Sequence, residues 1–301
     1  MGEVDASLFE VVGRNYKTIE PHIEKPSKFR ILKEVPWIST IIFVVVVLGC
    51  IFAPLFCTKS PSMYYLDSLN VAPCSDFLFG TDSLGRDLFS VIWYGGRASL
   101  IVGIFGTVLI TVIGIGYGCI NGLVGTTADM LMQRFVEMFH SIPMILMAIL
   151  LAAIMGKQNV LSISLIIALT SWFALARIVR SEVRQIRLSD YVIAARCSGS
   201  SLVHLIRVHL IPNIIPAIMF VVISSVGSCI TTESTLSFLG LGLPLDVLSW
   251  GSILSLADRA LLLNTWWVII IPGVFLVVTL SCITSIANYF RKESNKKPSR
   301  L

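Results

Sequence analysis

The chain has 301 residues, of which 55% are hydrophobic and only 14% charged, against about 25% charged in soluble domains. That balance excludes an ordinary pair of soluble domains and points to an all-α, polytopic membrane protein. The net charge of +5 is weak ground for a nucleic-acid partner, and membrane topology accounts for its distribution better. Seven cysteines, scattered and never in a C-x-x-C pair, exclude a zinc site and a disulfide framework; they are expected to be small apolar fillers rather than a Cys57–Cys74 bridge.

Residues 1–36 mix six basic with six acidic side chains and lack an apolar period, so a disordered tail is expected there. It is far too long for the n-region of a secretory signal. Val35 to Thr58 is 24 residues without a charge, enough to cross hydrocarbon with some tilt. A first anchor helix is therefore expected over 37–57, with Trp37 at the interface. A polar loop over 58–97 follows and is expected to end in an interfacial helix before a five-helix core over 98–290. The core spans are expected at Ala98–Ala128, about Met130–Met155, Asn159–Ile178, Ile214–Ser237 and Asn264–Phe290, leaving a basic tail over 291–301. Gly114, Gly118 and Gly122 recur every four residues in the second span, a spacing that lets two membrane helices approach closely. A nucleotide-loop reading of that stretch is weak, since no strand precedes it and no P-loop lysine follows.

Six spans place both termini on one side. Eighteen of the 23 Lys and Arg residues lie in the two tails, the turn at Arg134 and the region around residues 177–207. Only Lys59, Arg86, Arg97, Lys157 and Arg259 lie opposite. By the positive-inside rule both termini are cytoplasmic and the 58–97 loop is extracytoplasmic.

The richest cytoplasmic stretch is Tyr191–Asn213. Asp190 is expected to cap a short helix carrying Ala194 and Ala195, which Gly199 ends in the left-handed conformation. Ser200 or Ser201 then caps a second helix with Leu202, Leu205, Ile206 and Leu210 on one face, and Pro212 is expected to stop it. The product is a knuckle nearly free of side chains, open to close approach by a partner's backbone, although an amphipathic loop on the membrane surface fits the spacing equally well. Arg177, Arg180, Arg184 and Arg187 stripe one helix face and are expected to snorkel toward anionic lipid heads. Glu137 is expected to pair with Arg134. Glu233, near the end of the fifth span, either lines a path or ties helix ends together. Asp82 and Arg86, four apart between Gly80 and Gly85, can pair on one turn. His204 and His209 do not have metal-ligand spacing, and neither a P-loop nor a G-x-S-x-G elbow occurs.

Ala194-Ala195, Gly199 and His209-Leu210-Ile211-Pro212-Asn213 together resemble the EAA loop of bacterial ABC-importer permeases, in the form found among dipeptide, oligopeptide and nickel permeases. Ile193 replaces the wider family's glutamate. FGTDSLGRDLFSVIWYGGRASL, Phe79 to Leu100, is similar to the outer-loop signature of the same family, with Val91 where arginine is usual. TTESTLSFLGLG followed by Ser249-Trp250-Gly251 matches a third segment, while the C-terminal tail departs from the family pattern.

The resemblance, covering about Phe79 to Phe290, implies a type I ABC-importer permease fold and the second, C-type subunit of a peptide transporter in a bacterial plasma membrane. It implies ATPase coupling through a 182–213 loop at Ala194, Ala195, Gly199, Ser200, His209, Pro212 and Asn213. Gly80, Thr81, Asp82, Gly85, Arg86 and Asp87 would serve the outer gate or dock the binding protein. The implied partners are two cytoplasmic ATPase subunits, a second homologous permease, an extracytoplasmic substrate-binding protein and the bilayer, with no cofactor. Peptides are the expected substrate; nickel, metal chelates or glutathione-like molecules are alternatives, and an ion-coupled secondary transporter or a membrane scaffold is a more distant one.

Overall fold

A computed structural model describes residues 35–296. The tail expected over 1–34 and the last residues of the basic tail, 297–301, lie outside the described residues. The fold is organised by α2 (Leu88–Leu123), a single helix of 36 residues. At about 1.5 Å per residue it is far longer than the ~30 Å of a hydrocarbon core. Its start is set by Asp87, whose carboxylate accepts the Ser90 backbone N–H at 3.0 Å and the Ser90 hydroxyl at 2.6 Å. The interfacial helix and the second span expected as separate elements are therefore one rod. The Gly95-Gly96 pair serves packing rather than a bend. A Cβ at Gly96 would lie 2.4 Å from Cys50 Sγ, and one at Gly95 would lie 3.3 Å from the Ser249 backbone.

Farther along the rod, the four-residue glycine ladder meets α6 (Phe173–Ile186). Gly114, Gly118 and Gly122 face Leu175, Val179 and Val183 in the same spacing. A Cβ at Gly118 or Gly122 would come within 2.6 Å of the opposing valine Cβ, so the close packing expected from the sequence is realised.

Three of the other expected spans are interrupted, two of them at proline. The anchor expected over 37–57 is α1 (Trp37–Ile51), of 15 residues, followed by a short helical turn at Ala53–Phe56. Pro54 has no N–H to continue the ladder. The carbonyls of Cys50 and Ile51 are taken instead by Arg97 of α2, at 2.7 and 3.0 Å. The expected third span is two helices, α3 (Thr126–His140) and α4 (Met144–Met155), bent by 82° at Pro143. The fourth is α5 (Val160–Ser171), started by an Asn159 capping box, and α6, bent by 50°.

Beyond them lie α7 (Asp190–Cys197), the continuous helix α8 (Leu202–Phe238), the short α9 (Trp250–Leu254) and α10 (Ala257–Leu262), and α11 (Trp267–Lys296). Among the described residues three helices (α2, α8 and α11) are long and apolar enough to cross a membrane, or up to five spans if each bent pair counts as one. Against the six spans expected from hydropathy, the structure gives three rods, two broken pairs and α1, whose 15 residues fall short of that length.

Two apolar cores divide the rod. One, around Trp250, Ile92, Leu88 and Ile230, lies at the end bearing the 58–87 loop, hereafter the loop end. The other runs from Val102 to Leu210 toward α7 at the opposite, knuckle end. Val91, at the position where the related signature has arginine, is fully buried in the loop-end core.

Candidate functional site

At the knuckle end, α7 follows Ser189, and Asp190 is its first residue rather than its cap. There the acid favours the positive end of the helix dipole. Gly199 has φ of +80°. Its N–H donates to the Arg196 carbonyl at 3.0 Å and the Ser200 N–H to the Ala195 carbonyl at 3.1 Å, the paired bonds of a left-handed helix ending. Ser201, not Ser200, caps the next helix by accepting the His204 N–H at 3.3 Å. A Cβ on Gly199 would meet nothing within 4 Å, so this chain needs glycine for its dihedral and not for space. Ala194 is exposed, Ala195 half-buried, and Val192 wholly buried as the anchor of the turn.

The second half of the knuckle differs from expectation. Pro212 does not stop the helix: it occupies the first turn after a π segment, Leu205–Leu210, and α8 runs on to Phe238. Proline is tolerated there because the helical register is reset just before it, and the Asn213 side chain donates to the His209 carbonyl at 2.7 Å. The π turn also changes the buried face. Leu205, Leu210, Ile214 and Ile218 are buried, whereas Leu202 is exposed and Ile206 only half-buried. A five-residue step brings Leu205 and Leu210 into line, where a regular helix would have aligned Ile206 with Leu210. The His209 ring lies 6.2 Å from the Tyr191 ring, linking α8 to α7, and 6.0 Å from the His204 ring.

The arginine stripe is not a lipid-facing row. Arg180 grips Asp129 through two bonds, Nε to Oδ1 at 2.5 Å and Nη2 to Oδ2 at 2.6 Å. Arg184 adds a third at 2.7 Å, and Arg187 donates to the Gly122 carbonyl at 2.9 Å, at the end of α2. Three of the four arginines thus clamp α6 to the corner between α2 and α3, and only Arg177 stays exposed. Asp129 was not singled out in the sequence; an acid just after a long uncharged run, with unpaired arginines elsewhere, was the available signal. Glu137 and Arg134 pair as expected at 2.8 Å, on the surface.

At the loop end, Gly80, Thr81, Asp82, Gly85, Arg86 and Asp87 are brought together, but inside. The Arg86 Nε–Asp82 Oδ2 ion pair is 2.7 Å long with side chains 2% and 0% exposed, so a solvated helical pair is not what forms. Gly80 and Gly85 have φ of +77° and +75°, and the Thr81 carbonyl accepts the Trp267 indole N–H at 3.1 Å. Arg86 reaches the Leu245 carbonyl at 3.2 Å. Glu233 is fully buried on α8. Its Oε1 accepts from Ser249 at 2.8 Å and Ser237 at 2.9 Å, and its Oε2 from Ser99 of α2 at 3.2 Å. One carboxylate therefore joins α8, α2 and the start of α9.

The sequence matches the model of the family described as binding-protein-dependent transport system inner membrane component over residues 112–295. It is 36% identical to the dipeptide transport system permease protein DppC of Bacillus subtilis, over 81% of this chain and 75% of that protein. The oligopeptide transport system permease proteins OppC of Bacillus subtilis and Haemophilus influenzae are 35% and 36% identical, covering 81% and 86% of this chain and 79% and 83% of theirs. A solved structure, described as a crystal structure of an amino acid ABC transporter with histidines, aligns with a TM-score of 0.49 at 15% identity, over 68% of this chain and 94% of that one. With more than half the chain matched by the family and most of its length by these permeases, the chain belongs to the binding-protein-dependent transport system inner membrane components.

Proposed function

We propose that this chain is one of two permease subunits of an ATP-driven peptide importer, moved by two cytoplasmic ATPases and supplied by an extracytoplasmic binding protein. The observation that carries the reading is the knuckle: an exposed, almost side-chain-free corner set by Gly199 and anchored inward by Val192, Leu205 and Leu210. A surface meant to transmit force must hold its shape, and the Asp129 clamp ties the α6 lead into it to the core. Peptides are the substrate named for the relatives, and the overall similarity to them supports the same class here. The charge bias of the sequence supports a cytoplasmic side for both termini and the knuckle. The six loop residues, being buried, would shape the face that receives the binding protein rather than touch it. Glu233 acts as a tether that keeps the loop ends of three helices together.

Reconstituted with its ATPase and partner subunits, the chain should take up di- and oligopeptides only with ATP and loaded binding protein present. Reconstituted alone, it should neither hydrolyse ATP nor accumulate peptide. Uptake driven by a proton or sodium gradient without an ATPase overturns the reading.

A further inference from the structure

At the loop end, a cavity of about 670 Å³ opens between the segment after α1 and the first turns of α2, with Lys59, Tyr94, Arg97 and Ile101 in its lining. Both cations have only neutral partners. The Lys59 ammonium donates to the Asp76 carbonyl and sits 3.3 Å from the centre of the Phe77 ring. The Arg97 guanidinium donates to the Cys50 and Ile51 carbonyls and lies 4.7 Å from the centre of the Tyr94 ring. Neither forms an ion pair among the described residues. Two half-buried positive charges thus face one cleft with no carboxylate within ion-pair distance of either, which favours an anionic occupant.

The apolar surroundings say what kind of anion. Ile101, at the mouth of the cavity, begins a stripe with Ile104, Phe105, Val108 and Val112, all at least 38% exposed. Steps of three and four residues keep the stripe on one face of α2. From Ile101 to Val112 it runs about 16 Å along the helix, close to half of a ~30 Å hydrocarbon core. A cationic pocket at one end of a leaflet-length apolar track matches an anionic phospholipid, with its phosphate at Lys59 and Arg97 and an acyl chain along the stripe. A soluble anion or a peptide carboxylate would use the pocket and leave the track idle.

We propose that this cleft, between the segment after α1 and the α2 helix, is a binding site for an anionic phospholipid. The inference needs only that the chain lies in a bilayer and is independent of the transported substrate. The test uses the purified full transporter complex in detergent, titrated with phosphatidylglycerol, with phosphatidylcholine of the same chains, and with glycerol phosphate, which has no chains. Binding is read by native mass spectrometry and by the shift in melting temperature. Phosphatidylglycerol should bind saturably and at least about tenfold more tightly than phosphatidylcholine, and glycerol phosphate should produce no shift. Each cation removed should weaken the lipid about fivefold, as in Lys59→Gln and Lys59→Gln/Arg97→Gln. Arg259→Gln, an exposed cation on α10 outside the cleft lining, should change nothing. Lys59→Gln leaves the Arg97 contacts to α1 in place, so it carries the test if the double variant fails to assemble. Equal binding of both lipids, unchanged affinity in Lys59→Gln, or a shift produced by glycerol phosphate overturns the proposal. Peptide uptake, measured separately, decides the transport reading whichever way the lipid test falls.

Discussion

Replacing Gly199 with valine tests the knuckle most directly. The residue has φ of +80°, where a β-branched side chain is strongly disfavoured; strain of this kind costs on the order of 1–3 kcal/mol. An added Cβ meets nothing within 4 Å, so that atom adds no clash inside the chain to the figure. The penalty falls on the backbone, which must either bear the strain or give up the bonds from Gly199 to Arg196 and from Ser200 to Ala195. A shift of 1–3 kcal/mol lowers the fraction of knuckles holding the corner by a factor of about 5–150 relative to rearranged forms. Membrane insertion should survive, since Val192, Leu205 and Leu210 are untouched. In proteoliposomes with ATPases and binding protein, Gly199→Val should lose peptide uptake and the stimulation of ATP hydrolysis by loaded binding protein. Gly199→Asn, which tolerates the left-handed region, should keep most of both. Normal coupling in the valine variant refutes the corner as the working part. Equal damage in valine and asparagine variants refutes the conformational argument in favour of plain bulk at a contact.

Asp82→Ala leaves Arg86, 2% exposed, as a buried charge without its partner, and should destabilise the purified protein by about 3–5 kcal/mol. Asp82→Leu with Arg86→Met should recover most of the loss, and a thermal melt of Asp82→Ala indistinguishable from wild type would show that the pair is not a strut. Asp129→Asn should weaken the clamp by about 1.5–3 kcal/mol through Arg180, with the more exposed Arg184 adding little. Faster amide exchange across α7 is the expected readout, and unchanged exchange there would disconnect the clamp from the knuckle.

What could be read in advance follows from how local each cause is. The Gly114, Gly118 and Gly122 ladder and the Gly199 corner were legible because glycine spacing and helix-ending chemistry act over one or two turns. The bend at Pro143 had its cause in plain view, but hydropathy averages across it and returned one straight span. The Asp129–Arg180 pair joins residues 51 apart in sequence, and no periodicity connects them; only the packing of α6 against the α2–α3 corner does. Burial of the Asp82–Arg86 pair depends on Leu245 and Trp267 arriving from the far end of the chain. The π turn at 205–210 has no composition signal, so both the buried face and the fate of Pro212 were misread from the same cause.

That extra residue in the turn sets an angle. A helix advances about 100° per residue, so the side chains of residues 202–204 are rotated by roughly that amount about the α8 axis compared with a helix lacking the insertion. Residues from Ile211 onward keep their own register against the core. Deleting one residue between Leu205 and Leu210 would restore the ordinary winding and swing the knuckle around the shaft by more than a quarter turn, with every contact beyond Ile214 unchanged. The segment behaves as an index mark between two parts whose surfaces must satisfy different neighbours. Length changes confined to these six residues can therefore re-aim the knuckle without redesigning the membrane core, and length changes elsewhere in α8 cannot.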